Sequence, residues 1–565
     1  MGSVFYSQKY FQIQSQMRYF SASSNNTPSS GNHKQNVFTK PSSQTNNEAD
    51  AASQTKQYEQ YAEPQASEFD DLQDADVKDK DSAAKNLSLQ LMKFETSEQC
   101  LQLYENGYLR GARDAIYGEE LCLIFYFVIK NIQKMMPEDG HRLLTQDLRF
   151  TTLLQMIMGR LQDLEFEYFI TTVWGLGIAV SGYNAQIEPE QKLRILSHLN
   201  QIQIPEYAYN NIPTLAFSLS CFFNEDMNQL AQETIEKISN TYLDNMLDRM
   251  DILQASVLLM SWGRAFIDNG EMLDKVANDI INKHKQKLFY EDGAISEIVN
   301  IIMALSDLRY KNEKLFEIMH GYALKHLEKL NIYFLAQLVN STAMLFPEKI
   351  KYFNDYSSEL HQRLQAGINQ ESFRVAKPGQ TQMLINELIP DITTYNNLWL
   401  SITCFGVKQN VTMKEDIPAD ADEEKKKAYM VGGHIRVIAK DLIKIFNSNR
   451  RWQNTDLNIT EAANISIAIA SLKLQSDNFI ADIADIIKAN IKEANNYELI
   501  NLAKSSHYFR EFKHTKELYG IVHAECVTRY NLRKLDDDVK SSLESVFSSH
   551  GIMNDSPFVK TRVQR

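Results

Sequence analysis

From Ala83 onward, apolar residues recur at i, i+3, i+4 and i+7, and hardly any segment alternates as a strand does. One stripe reads Phe166, Phe169, Ile170, Val173, Trp174, Gly177; another reads Ala255, Leu258, Leu259, Trp262, Phe266. Ile298, Ile301, Ile302, Leu305 and Leu308 follow, then Leu335, Leu338, Val339, Thr342 and Phe346. The spacing predicts helices, each with one face turned to a core.

These helices repeat. EFEYFITTVWGLGIAV, IPTLAFSLSCFF, ILQASVLLMSWGRAFI, AISEIVNIIMALSDL and NIYFLAQLVNSTAMLF hold Trp174, Phe217, Trp262, Leu305 and Leu345 at similar places, with steps of 43, 45, 43 and 40 residues. Between them lie amphipathic, charged stretches such as EMLDKVANDIINKHKQKL and NEKLFEIMHGYALKHLEKL. The unit is a helical hairpin of about 40 residues whose first helix is buried and whose second keeps a solvated face. One hairpin cannot bury its apolar face alone, so hairpins stack. The expected fold is an all-α solenoid.

The rhythm divides the chain. Residues 86–365 read as the regular solenoid and 366–550 as a second helical-repeat part, with an exposed insertion near 408–430. Pairs resume with TEAANISIAIASLKL and NFIADIADIIKANI, then with YELINLAKSSHYF and TKELYGIVHAECVTRY. Residues 551–565 form a basic tail. Residues 21–85 are Ser-, Asn- and Gln-rich and then acidic, with too little apolar surface to offset ordering entropy, so disorder is expected.

Charge adds an address. The first 47 residues contain no Asp or Glu, but do contain Lys9, Arg18, Lys34 and Lys40. A basic, Ser-rich, acid-poor start fits a mitochondrial presequence over residues 1–20, with Arg18-Tyr19-Phe20-Ser21 resembling a matrix-peptidase cleavage pattern. The expected location is the matrix or the matrix face of the inner membrane. Five cysteines without a CxxC pair make no disulfide framework, which suits a reducing compartment. No stretch reads as a membrane span; LCLIFYFVI is too short and suits a buried helix. The Asn- and Gln-rich composition suits a protist with an AT-rich genome.

The run LRFTTLLQMIMGRLQDLEFEYFITTVWGLGIAVSGYN, followed by SWGRAFI, resembles mitochondrial helical-repeat proteins of the FAST-kinase-like and octotricopeptide or heptatricopeptide type, including RAP-domain proteins. The likeness covers roughly 90–510 and implies an organellar protein of RNA metabolism or of the mitoribosome. It implies mitochondrial RNA or ribonucleoprotein, and other mitochondrial proteins, as partners. No RAP-type C-terminal domain is recognisable. The net charge of −13 also departs from the basic balance expected of an RNA binder. The alternative is a structural or assembly scaffold of a respiratory or ATP synthase complex.

Two basic stretches are the RNA-contact candidates. In GGHIRVIAKDLIKIFNSNRRWQN, Arg436, Lys440 and Lys444 share a helix face opposite Ile435, Ile438, Leu442 and Ile445. Arg450 and Arg451 extend the charge, and Trp452 is placed to stack on a base. The second group is Lys513, Lys516, Arg529 and Arg533, with Lys504 and Arg510 nearby; Glu511, Glu517 and Glu525 are placed to neutralise part of it. Lys325 and Lys329 are further cations for the same groove if these positions are continuous. The bland reading of both stretches is a solvated helix face.

No catalytic, cofactor or metal site is expected. His523 and Cys526 share a face but lack further ligands nearby. Gly175, Gly177 and Gly182 in GLGIAVSG are not GxGxxG after a strand, and read as close helix packing. Trp174, Trp262 and Trp399 read as core. No P-loop, GxSxG, HExxH or kinase signature occurs, so the word kinase in the family name implies no activity here.

Overall fold

A computed structural model describes residues 86–109, 117–222, 228–285, 294–372, 390–408, 423–448, 457–549 and 557–558. The expected presequence and the whole of the expected linker lie outside these residues. Among the described residues the structure is helical and contains no strand, an all-α helical repeat. The chain forms two compact units, Met1–Ala265 and Phe266–Arg565.

The first unit comprises α1 (Ser97–Tyr104), α2 (Gly118–Ile132), α3 (Pro137–Gln146), α4 (Leu148–Gly159), α5 (Phe166–Tyr183), α6 (Pro189–Gln201), α7 (Ile212–Ser220), α8 (Asn228–Leu247) and α9 (Ile252–Ala265). Helices α2, α5, α7 and α9 pack in that order as one layer. The sequence explains how they come so close. A Cβ on Gly175 would stand 2.3 Å from the Phe125 ring of α2, and one on Gly177 2.9 Å from the Ser218 Cα of α7. Glycine at both places lets one helix meet a neighbour on each side. Trp174, 6% exposed, packs its ring 5.4 Å from Tyr126, and the fully buried Trp262 donates from Nε1 to Ser239 Oγ at 3.0 Å.

The second unit runs through α10 (Gly270–Lys285), α11 (Ile295–Asp307), α12 (Glu313–Lys325), α13 (Ile332–Leu345), α14 (Ile350–Ser372), α15 (Ile392–Lys408), α16 (Glu423–Ser448), α17 (Ile459–Ser471), α18 (Asp477–Asn490), α19 (Asn496–Phe509), α20 (Leu518–Asn531) and α21 (Asp537–Ser549). Helices α11, α13, α15, α17, α19 and α21 form one layer, and α10, α12, α14, α16, α18 and α20 the other. Helix α16 reaches back to Glu423, so helix occupies the last residues of the stretch read as an insertion.

The ends of these helices are written in side chains. Asn331, Asn458 and Asn495 cap α13, α17 and α19, and in the last two Glu461 and Glu498 complete a capping box. Each such cap contributes about 1 kcal/mol. At the other end Arg309 and Lys473 adopt left-handed φ of 51° and 48°. They close Schellman turns through Tyr310 N to Leu305 O at 2.9 Å and Leu474 N to Ile469 O at 3.1 Å.

Hydrogen bonds between hairpins carry the period. Tyr310 Oη donates to Asp274 Oδ1, 36 residues away; Tyr508 Oη donates to Leu474 O, 34 away; Thr460 Oγ1 donates to Glu498 Oε1, 38 away; and Ser466 Oγ meets Ser505 Oγ, 39 away. Side chains thus tie equivalent points of successive hairpins.

Candidate nucleic-acid interface

Helix α16 carries the first basic group. Its apolar positions Ile435, Ile438, Leu442 and Ile445 are buried at 0 to 2% exposure, where α14 and α18 pack against the helix. That burial orients the rest. Lys440 and Lys444 are exposed one turn apart. Asp441, beside them, is buried and accepts from Gln365 Nε2 and pairs with His361 Nδ1, both at 2.5 Å, with Lys444 Nζ at 3.9 Å.

Arg436 belongs to a different environment. Its Nη2 donates to Leu472 O at 2.9 Å, the carbonyl of the residue closing α17, and its Nε is buried. The guanidinium satisfies a helix end in the next hairpin, so the three cations expected on one face divide into two exposed lysines and one structural arginine. Arg450, Arg451 and Trp452 lie outside the described residues.

The second group divides too. Lys513 and Lys516 are exposed in the turn between α19 and α20, with Lys504 and Arg510 exposed just before it. The Arg510 guanidinium lies 5.4 Å from the Tyr519 ring centre. Arg529 and Arg533 lie at the far end of α20, about 20 Å along a 14-residue helix. Arg529 is enclosed: Nε donates to Glu525 Oε1 at 2.8 Å and Nη2 to Lys492 O at 3.1 Å, in the 3₁₀ turn that closes α18. Arg533 is exposed with φ 55° in the Schellman turn after α20. Lys325 and Lys329, also exposed, stand where α12 ends. The expected cations therefore occupy two edges of the hairpins rather than one patch. Arg436, Lys513 and Lys516 stand near the ends of first helices. Lys325, Lys329, Arg529 and Arg533 stand near the ends of second helices.

Arg363 on α14 repeats the Arg529 device. It donates from Nε to Glu359 four residues back and reaches the carbonyls of Leu327, Glu328 and Leu330 in the 3₁₀ turn after α12. In both, a glutamate one turn earlier steadies the guanidinium, which then neutralises the carbonyl end of the preceding second helix. Sequence pattern gives such an arginine the same appearance as a ligand-binding one.

The remaining polar chemistry is interior. His320, 7% exposed, lies between Asp355 Oδ2 at 3.0 Å from Nε2 and Tyr356 Oη at 2.5 Å from Nδ1. Burial holds its pKa below the ordinary value despite Asp355, so the neutral ring donates to Asp355 and accepts from Tyr356. Burial also lowers His523 and pushes the Cys526 thiol up to about 12. The His523 ring packs 4.9 Å from Phe547, and Cys526 is fully buried. Among the described residues no three His, Cys, Asp or Glu gather as a metal set. An open cavity of about 650 Å³ is lined by Glu98, Lys134, Asp139 and Arg142, and one of about 440 Å³ by Asn184, Cys221 and Arg264. Neither brings a histidine to a nucleophile. No described helix is long and apolar enough to cross a membrane.

No protein-family model matches the chain, and no curated protein matches its sequence.

Proposed function

We propose that this chain is a non-catalytic helical-repeat protein of mitochondrial RNA metabolism or the mitoribosome, holding RNA through its C-terminal hairpins. The supporting observation is the pair Lys440 and Lys444, exposed on a helix whose other face is fixed in the core. Two cations one turn apart on a rigid helix suit phosphates, which position a nucleic acid without reading its bases. The matrix location rests on the acid-free, basic first 47 residues. Ultraviolet crosslinking in cells, stringent capture of the tagged protein and labelling of bound RNA test the reading. A nuclease-sensitive labelled adduct supports it; its absence removes it.

A second reading, a protein scaffold in a mitochondrial complex, is favoured by the net charge of −13 and by Arg436 and Arg529, which are engaged by main-chain carbonyls. A stoichiometric set of copurifying proteins without an RNA adduct is the result that selects it.

A further inference from the structure

In the second unit, from α11 onward, cations collect along the edge where first helices end and second helices begin, whereas the turn into α10 carries exposed Asp268, Glu271 and Asp274. Arg309 and Lys311 are exposed in the turn from α11 to α12, and Lys314 is exposed in the first turn of α12. One hairpin on, Lys351 is exposed in the first turn of α14. These turns are neighbours: Lys311 and Lys349 stand 5.9 and 5.6 Å from the centre of the same ring, Phe346, and Lys349 pairs with Glu313. Further along the unit, exposed Lys473, Lys513 and Lys516 occupy two other consecutive turns, joined by Tyr508 Oη to Leu474 O at 3.0 Å. The exposed carboxylates at these turns are Asp307, Glu348, Asp477 and Glu511, with Glu313 and Glu517 held by Lys349 and Lys488. The balance at the turns is positive in a chain that is acidic as a whole.

Helix electrostatics explain part of this. A basic residue just past a helix C-terminus, such as Arg309 or Lys473, complements the negative end of the dipole. Lys314 and Lys351 have the opposite placement, at helix N-termini, where the dipole disfavours cations. The dipole does not account for them there, and with the N-terminal amides they add to a positive edge. The corresponding turn after α5, in the first unit, carries exposed Glu188 and Glu190 instead.

The occupant follows from what the edge lacks. Protein interfaces bury an apolar or aromatic core. Along these turns Met344 is the exposed large apolar side chain, and Phe346 and Tyr352 are buried. We infer that this edge of the second unit is a backbone-tracking RNA surface, binding successive phosphates through Lys311, Lys314, Lys351, Lys513 and Lys516 without reading sequence. The inference rests on the RNA reading above and adds a surface distinct from Lys440 and Lys444.

The test uses the full chain and fluorescence anisotropy with labelled oligouridine across a salt series. Lys311→Glu, Lys314→Glu, Lys351→Glu, Lys513→Glu and Lys516→Glu are combined in one variant; a matching glutamine set guards against misfolding, and circular dichroism checks both. Expected are a loss of more than ~10-fold in affinity and a fall of about 3 in the slope of log K against log salt, with oligoadenosine behaving like oligouridine. An unchanged slope, while Lys440→Glu with Lys444→Glu releases the probe, overturns the edge and leaves the RNA reading standing. A wild-type chain that ignores both probes overturns both. So does one that binds phosphatidylglycerol vesicles through these lysines and not RNA.

Discussion

Gly177→Ala sets two known effects against each other at one position. Alanine in place of glycine inside a helix gains about 1 kcal/mol in propensity. At Gly177 the added Cβ would stand 2.9 Å from Ser218 Cα, 3.0 Å from its Cβ and 3.3 Å from its carbonyl oxygen. Carbon atoms rest at about 3.5–4.0 Å, and two of the three obstacles are backbone, which no rotamer change removes. Helices α5 and α7 must then separate by roughly 0.5–1 Å, which forfeits a quarter to a half of each facing dispersion contact. Overpacking of this kind costs ~1–3 kcal/mol. The clash outweighs the propensity gain, and the first unit should lose about 1 kcal/mol, or roughly 2–4 °C in Tm. Gly159→Ala is the internal control: nothing lies within 4 Å of its Cβ position, so it should be neutral or slightly stabilising. Thermal melts followed by circular dichroism and by the fluorescence of Trp174, on the same helix, read both variants. If Gly177→Ala raises Tm as Gly159→Ala does, the close crossing of α5 and α7 is wrong.

Arg363→Ala should destabilise the second unit by ~2–4 kcal/mol in urea titrations, because three carbonyls lose a charged donor and Glu359 loses its partner. Arg363→Lys should recover less than half, since an ammonium cannot reproduce the planar fork. Lys473→Gly and Arg309→Gly should each stabilise by about 0.5–1 kcal/mol, as both residues hold left-handed φ that glycine adopts freely; a loss of stability in either would show that the Schellman turn is misassigned. Burial keeps folded His320, His198 and His523 below their ordinary pKa, so the unfolded chain binds more protons as the pH falls. Stability from this source is intact above about pH 6.5 and declines below it. His320→Gln should flatten that decline in denaturant midpoints measured across pH; a slope unchanged by the substitution would discount His320.

Periodicity made the helices legible because burial imposes it directly. The stripe Ala255, Leu258, Leu259 and Trp262 is buried on α9, but Phe266, expected on the same face, lies past the helix end with φ 52° and is 73% exposed; the YELINLAKSSHYF stretch forms α19. Helix ends were harder to read. Arg309 and Lys473 close Schellman turns at positions where a sequence signal would be glycine. The terminal helix α21 lies inside the part expected to be helical to residue 550 but carries a weak signal of its own, because its polar outer face dilutes the stripe of Val539, Leu543, Val546 and Phe547. The basic groups were legible as composition and not as geometry. Local spacing places Arg436 beside Lys440, but a carbonyl 36 residues away decides where Arg436 is used. Arg529 is likewise claimed by Lys492 O, 37 residues away. The turn cations Lys311, Lys314 and Lys351 are not legible as a group for the converse reason: Lys311 and Lys349 are 38 positions apart in the chain and meet only at Phe346.

The most direct test of RNA contact through the second unit is mass-spectrometric mapping of peptides that carry a nucleotide adduct after ultraviolet crosslinking in cells. Adducts are expected on peptides containing Lys311 to Lys314, Lys351, Lys440 to Lys444 and Lys513 to Lys516. Adducts confined to residues before Phe266, or none on a chain captured in quantity with intact partners, would contradict it.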